Sequence, residues 1–165
     1  MTTQIIKKEI SYKNFLIKKD INKLKKHFNT SESMLIEALK IVQKHYGWVS
    51  DSSIKLLSKI LNLSKSEIES VSTFYSQIYR KPVGNYVIKI CDSMVCYITG
   101  YKKLKKIIKK VINIKFGETT KNKNITFLPV CCLGACDKSP VIMVNNKTYF
   151  NVNKKIILKL LDSIK

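Results

Sequence analysis

Hydrophobic residues follow two different rhythms along this chain. In the first half they recur every three or four positions, the period of an amphipathic helix. Met34, Leu35, Ala38, Leu39, Val42 and Tyr46 form one such face. Thr30 or Ser31 can cap its start, and Gly47 is placed to end it in a left-handed turn. Asp51 or Ser50 caps the next helix, with Ile54, Leu57, Ile60 and Leu61 inward. Ser64-Lys65-Ser66-Glu67 reads as a capping box, in which hydroxyl and carboxylate each satisfy a free amide. The helix it opens carries Ile68, Val71, Phe74, Tyr75 and Ile78 on its apolar side. Residues 1–30 are polar and lysine-rich, with a weaker helical pattern through Phe15, Ile17, Ile21, Leu24 and Phe28. Short amphipathic helices with tight connections bury their faces by forming a bundle.

Lys81-Pro82-Val83-Gly84 interrupts this pattern and marks a boundary between residues 1–81 and 82–165. Beyond it, Tyr86-Val87-Ile88-Lys89-Ile90 is β-branched and aromatic, hence a strand. A helix follows over residues 99–112, with Leu104, Ile107, Ile108, Val111 and Ile112 inward. Ile125 to Val130 is a second strand. Val141–Val144 and Lys147–Phe150 flank Asn145-Asn146, a tight turn, because asparagine tolerates positive φ. A last helix spans residues 153–164, with Ile156, Ile157, Leu160, Leu161 and Ile164 on its apolar side. The order β-α-β-β-β-α describes a small sheet covered by helices.

All five cysteines lie in this second half, and each group follows a strand. Cys91-Asp92-Ser93-Met94-Val95-Cys96 is a C-x4-C loop; Cys131-Cys132-Leu133-Gly134-Ala135-Cys136 holds the other three. If the two strands are parallel neighbours, both loops emerge at one sheet edge, where open α/β sheets place their ligands. Thiolates from two loops suit an iron–sulfur cluster or a four-cysteine zinc site. Zinc knuckles use the short C-x2-C turn; the longer spacers here favour the wider two-iron rhomb without excluding zinc. Cys132 and Cys136 bracket Gly134, whose conformational freedom lets the loop wrap closely. Cys131 should point to the opposite side from Cys132 and be buried as a small hydrophobe. There is no C-x-x-C redox motif and no haem-attachment motif.

The net charge of +20 changes the picture less than its size suggests. Of 31 basic residues only Arg80 is an arginine, the side chain that nucleic-acid binders use for bidentate contacts. Together with abundant isoleucine and asparagine, the lysines have the composition that an AT-rich genome imposes. A solvated lysine surface is therefore expected rather than nucleic-acid binding, and docking on an acidic partner is its most useful electrostatic role. No apolar run approaches the roughly 20 residues of a membrane span. The N-terminus has no secretory-signal pattern, so a cytoplasmic location is expected. His27 and His45 are read as surface or satisfied histidines. Trp48 and the Phe74-Tyr75 pair are read as core or bundle-edge residues rather than partner contacts. No Ser/His/Asp or Cys/His arrangement suggests catalysis by this chain.

Several of these segments are familiar together. They are Ile36-Glu37-Ala38-Leu39-Lys40-Ile41-Val42-Gln43 with Gly47-Trp48-Val49, then Val71-Ser72-Thr73-Phe74-Tyr75-Ser76-Gln77 and Pro82-Val83-Gly84. With Cys91 to Cys96 and Cys132-Leu133-Gly134-Ala135-Cys136-Asp137-Lys138-Ser139-Pro140, the chain resembles the small thioredoxin-like [2Fe–2S] subunits (E-type) of bacterial NADH:quinone oxidoreductase, respiratory complex I. The resemblance runs from about residue 32 to the end. It implies an α+β chain: a helical bundle over 1–81 that docks on a partner, then a thioredoxin-like ferredoxin domain over 82–165. It implies that Cys91, Cys96, Cys132 and Cys136 ligate one [2Fe–2S] cluster, with Cys131 outside. It also implies a larger flavoprotein partner that binds FMN and NADH, alongside other peripheral-arm subunits. The cluster exchanges single electrons with that FMN. The chain would be a subunit that is not catalytic by itself, cytoplasmic and held at the inner membrane through the complex.

The absence of a glycine-rich nucleotide fingerprint or P-loop agrees with FMN and NADH lying elsewhere. The motifs also fit related subunits of NAD-linked formate dehydrogenases and NAD-reducing hydrogenases. Ser93, Lys138 and the loop amides are candidates for tuning the cluster, and Pro140 stands where thioredoxin-like folds often hold a cis proline. The lysine content and the first 30 residues depart from the family. Two readings from other classes remain: a zinc-stabilised module binding nucleic acid, and a thiol redox protein with a Cys91–Cys96 disulfide.

Overall fold

A computed structural model of the protein describes residues 2–164, and the side chains of all of these except residues 2–4 and 6. The chain divides into two compact units, Met1–Pro82 and Val83–Lys165.

The first unit is built from α1 (Thr2–Leu24), α2 (Ser31–Tyr46), α3 (Asp51–Leu61) and α4 (Lys65–Phe74). Its core gathers Ile17 and Ile21 of α1, Leu35, Leu39 and Val42 of α2, Leu57 of α3 and Ile68 of α4. The caps follow from the residues at each end. Thr30 accepts from the Ser33 amide, Ser50 from that of Ser53, and Ser64 and Glu67 exchange bonds of 3.2 and 2.8 Å. The Ser64 hydrogen bonds hold the Glu67 carboxyl below the usual carboxylate range. Gly47 ends α2 at φ 78°, a conformation that is cheap only without a Cβ.

Two expectations fail here for identifiable reasons. The N-terminal helix is far longer than its weak pattern suggests. Among its described side chains only the last two turns bury an apolar stripe, while Ile5 and Ile10 face solvent, as does Phe15, which the pattern placed inward. The last helix is shorter: it stops at Phe74 because Tyr75 turns to extended backbone. Phe74 is consequently 80% exposed instead of inward, and Ile78 enters the core from the turn that follows.

The second unit is a four-stranded sheet of order β2-β1-β3-β4, from β1 (Tyr86–Cys91), β2 (Ile125–Val130), β3 (Ile142–Val144) and β4 (Lys147–Tyr149). β1 is central, parallel to β2 and antiparallel to β3. Parallel pairing needs a crossover. A single turn, α5 (Met94–Cys96), and a π-helical turn lead into α6 (Lys102–Ile112), which supplies it. The chain ends on α7 (Lys154–Ser163). The crossover helix thus starts a little later than the sequence suggests, because Gly100 (φ 145°) kinks the chain before it.

Alternation divides the sheet residues between faces. Ile88, Ile90, Phe127 and Ile142 form the main core with Leu104 and Ile108 of α6 and Ile157 and Leu161 of α7. Cys91, Val130 and Val141 belong instead to a second, smaller cluster with Cys96. Pro129, which cannot donate to a ladder, lies in the edge strand β2, where that costs least. Asn145 takes the positive φ (52°) of the β3–β4 turn, and its side-chain oxygen accepts from the Val87 amide at 2.8 Å. Gly84 precedes β1 where a Cβ would lie 2.7 Å from the Asn124 backbone.

The one arginine of the chain ties the helical unit together. Its guanidinium meets both Glu69 carboxylate oxygens, at 3.1 and 2.8 Å, and Asp51 at 2.7 Å, and it donates to the Val49 carbonyl. The planar fork makes these four hydrogen bonds at once, one more than the three N–H groups of an ammonium can supply. We expect Arg80→Lys to lower stability by about 1–2 kcal/mol, the scale of lost charge-assisted hydrogen bonds. Urea unfolding of the full chain checks this; a change within about 0.5 kcal/mol, as for an ordinary surface substitution, would contradict it.

Candidate metal centre

The register of β1 against β2 pairs Cys91 with Val130, so the two strands end side by side. The condition set by the sequence, that these strands be parallel neighbours, is therefore met. The antiparallel β3 begins at the same edge. Backbone bonds fasten the three segments: Cys91 donates to the Val141 carbonyl at 3.2 Å and Asp92 to that of Val130 at 3.0 Å. Both cysteine loops leave the sheet from this fastened edge.

Cys91 and Cys96 are buried, at 2% and 1% exposure, under Val130, Val141, Leu133 and Ala135. Their thiols are close enough for the charge of one to act on the other. Ser93 stands at the N-cap of α5 but makes no side-chain cap bond; its hydroxyl oxygen lies 3.2 Å from Cys91 Sγ instead. Cys132 and Cys136 are exposed, and their sulfurs are 3.9 Å apart. Gly134, at φ 75°, folds the loop back so that its amide donates to Cys132 Sγ at 3.4 Å. The Cys91 thiol reaches the Cys131 carbonyl at 3.6 Å and so joins the two loops.

The electrostatics of each pair are those of two sulfurs competing for one negative charge. Burial raises Cys91, but the Ser93, Cys96 and Leu133 hydrogen bonds outweigh it and leave its thiol below the ordinary range. Burial and the bond with Cys91 push Cys96 up, and the hydrogen bond and charge of Cys132 push Cys136 up. Two adjacent thiols ionise together when a metal cation neutralises them.

Among the described residues, no three Cys, His, Asp or Glu side chains gather as ligands around a single ion. The thiols form two pairs across one edge. That donor set, sulfur alone with backbone amides nearby, fits a two-iron cluster better than one tetrahedral zinc ion, which draws four ligands to one point.

Other sequence candidates fall elsewhere. Cys131 is exposed, not buried: β2 ends at Val130, so this residue lies beyond the packed face. His45 sits 3.2 Å from Asp20 in the helical unit, and His27 is exposed. Lys138 is exposed beside the Phe150 ring. The Ser139–Pro140 peptide is cis, and a Cβ on Gly100 would come 3.4 Å from the Pro140 ring. Met94 and Ile98 are not legible as site residues in the sequence, yet they stand 72% and 75% exposed beside the buried cysteines. Their signal was apolar side chains four apart in a segment with no apolar face to join.

Comparison with known proteins adds to this geometry. Residues 21–165 match the model of the thioredoxin-like [2Fe–2S] ferredoxin family. The chain is 49% identical over 160 residues to the E-type subunit of NADH-quinone oxidoreductase of Buchnera aphidicola from Acyrthosiphon pisum, covering 95% of this chain and 99% of that one. It is 46% identical over 137 residues to the protein of that name from Pseudomonas aeruginosa, covering 83% and 82%. For Escherichia coli the identity is 45% over 139 residues, covering 84% of each. The fold also matches a crystal structure of an NAD+-reducing [NiFe]-hydrogenase, with TM-score 0.69 and 21% identity. That match covers 79% of this chain but only 22% of the hydrogenase chain.

Proposed function

The chain belongs to the thioredoxin-like [2Fe–2S] ferredoxin family, and from that premise we propose that it is the electron-transferring E-type subunit of an NADH:quinone oxidoreductase. The observation that carries this is the meeting of two cysteine pairs at one edge of the sheet. Cys91, Cys96, Cys132 and Cys136 hold one [2Fe–2S] cluster, and Cys131 stays outside. When bound, that cluster supplies a reversible one-electron site. Its exchange partner is FMN on a larger flavoprotein subunit that also binds NADH, consistent with the lack of a nucleotide-binding fingerprint here. The chain works as a non-catalytic subunit with other peripheral-arm subunits, on the cytoplasmic side. Among the described residues no helix is long and apolar enough to cross a membrane.

This chain's residues set the conditions for transfer. Burial of Cys91 and Cys96 keeps water from half the donor set. The Ser93 hydroxyl and the Gly134 amide can donate to sulfur, which favours the more negative, reduced state and raises the potential. Met94 and Ile98 present exposed apolar side chains on either side of Cys96. The formate dehydrogenase and hydrogenase readings have less support: the hydrogenase likeness is one of fold, whereas relatives at 45–49% identity carry the oxidoreductase name. The nucleic-acid reading loses its one arginine to the Glu69 and Asp51 carboxylates.

Three expectations follow. Serine at Cys91, Cys96, Cys132 or Cys136 should remove or spectrally alter the cluster, while Cys131→Ser leaves it intact; iron and sulfide analysis decides. NADH should then reduce the wild-type cluster only when the flavoprotein is present, and reduction by NADH without it would contradict the reading. Ser93→Ala removes one donor to sulfur, so the reduced state loses more than the oxidised one. The midpoint potential should fall by roughly 40 mV, the one-electron equivalent of about 1 kcal/mol. An unchanged or higher potential in a redox titration would remove Ser93 from this role.

A further inference from the structure

A groove of about 770 Å³ runs along α6 as far as Gly100 and Pro140, and no cysteine lines it. Leu104, Ile107 and Val111 of α6 and Leu158 of α7 form its apolar floor. Lys103, Lys106 and Lys110 of α6 and Lys154 at the start of α7 stand around it, and no acidic residue lines it. The three α6 lysines are spaced i, i+3 and i+7, so they stack along one side of about two helical turns, roughly 10 Å.

The charge here is more than the general lysine excess. α6 carries six lysines and no acid, whereas α2 has two glutamates and two lysines and pairs Glu37 with Lys40 at 2.7 Å. Lysines three and four apart on a helix repel one another, and Lys102 and Lys103 also meet the positive end of the helix dipole. Such a helix is locally unfavourable by itself and becomes favourable against carboxylates. A single anionic headgroup would engage one point of the groove. A row of cations beside an apolar floor matches carboxylates and leucine-like side chains repeating at helical spacing.

We propose that this groove seats an acidic amphipathic helix of a partner protein, its apolar face on Ile107 and its neighbours and its Asp and Glu side chains against Lys103, Lys106 and Lys110. This rests on the reading of the chain as a subunit of an assembly, but not on the cluster. Zero-length carbodiimide crosslinking of the assembly purified through the full chain tests it, because the reagent joins a lysine to a carboxylate only in direct contact. The expected result is crosslinks from these lysines to acidic residues three or four apart on one partner helix. Replacing the three with glutamate should reduce recovery of that partner at least tenfold, while Lys115, Lys121 and Lys147 replaced together should not; circular dichroism checks that both triples fold. Free acetylation of the three lysines within the assembly, scattered crosslinks, or equal loss in both triples would overturn the proposal. So would protection of these lysines by phosphatidylglycerol vesicles without any partner crosslink. Iron content, measured on the same sample, separates failure of the groove from failure of the cluster reading.

Discussion

Parallel pairing of β1 with β2 is the constraint on which the rest depends. Two strands that run the same way end at the same edge, so loops about forty residues apart in sequence emerge together. The crossover through α5 and α6 is the covalent requirement of that pairing, and it brings Gly100 so near Pro140 that a Cβ there would lie 3.4 Å from the proline ring. The antiparallel β3 starts from the same edge, and Val141 just before it accepts the Cys91 amide. The sulfur positions are thus held by the sheet ladder rather than by loop conformation alone. Rigid support of this kind suits a redox site, where little should move as charge changes.

The two pairs have unequal surroundings. Cys91 and Cys96 lie in a small apolar cluster, and Cys132 and Cys136 lie in solvent at the mouth of the loop. Burial favours neutral or less negative states, and exposure and hydrogen bonds favour more negative ones. The site thus has one buried side, carried by Cys91 and Cys96, and one open side, carried by Cys132 and Cys136.

Much of this architecture was legible in the residues. Ser64 with Glu67 announced a helix start, and Gly47 a helix end. The change from helical period to β-branched runs after Pro82 announced the sheet. What could not be read was decided by tertiary context. Phe74 continues a helical pattern, yet nothing covers it once Tyr75 leaves the helix. Cys131 obeys strand alternation only while the strand lasts, and β2 stops one residue earlier. The long N-terminal helix was obscured because, among its described side chains, only Ile17 and Ile21 are fully buried. At the site, the spacers favoured iron over zinc without deciding between them. The pairing of sulfurs across an edge is a property of the sheet register, which no spacing contains. In sequence the lone arginine argues only against nucleic-acid binding, and its part in joining Val49, Asp51 and Glu69 appears only in three dimensions.

The central claim is that four cysteines at one sheet edge hold a two-iron cluster that carries one electron. The most direct test is anaerobic purification of the wild-type chain, with iron and sulfide analysis and an electron paramagnetic resonance spectrum after dithionite reduction. The account predicts a red-brown protein with about two irons and two sulfides per chain and a spin-half signal only on reduction. A colourless protein that holds one zinc, or no metal after anaerobic reconstitution, would contradict it.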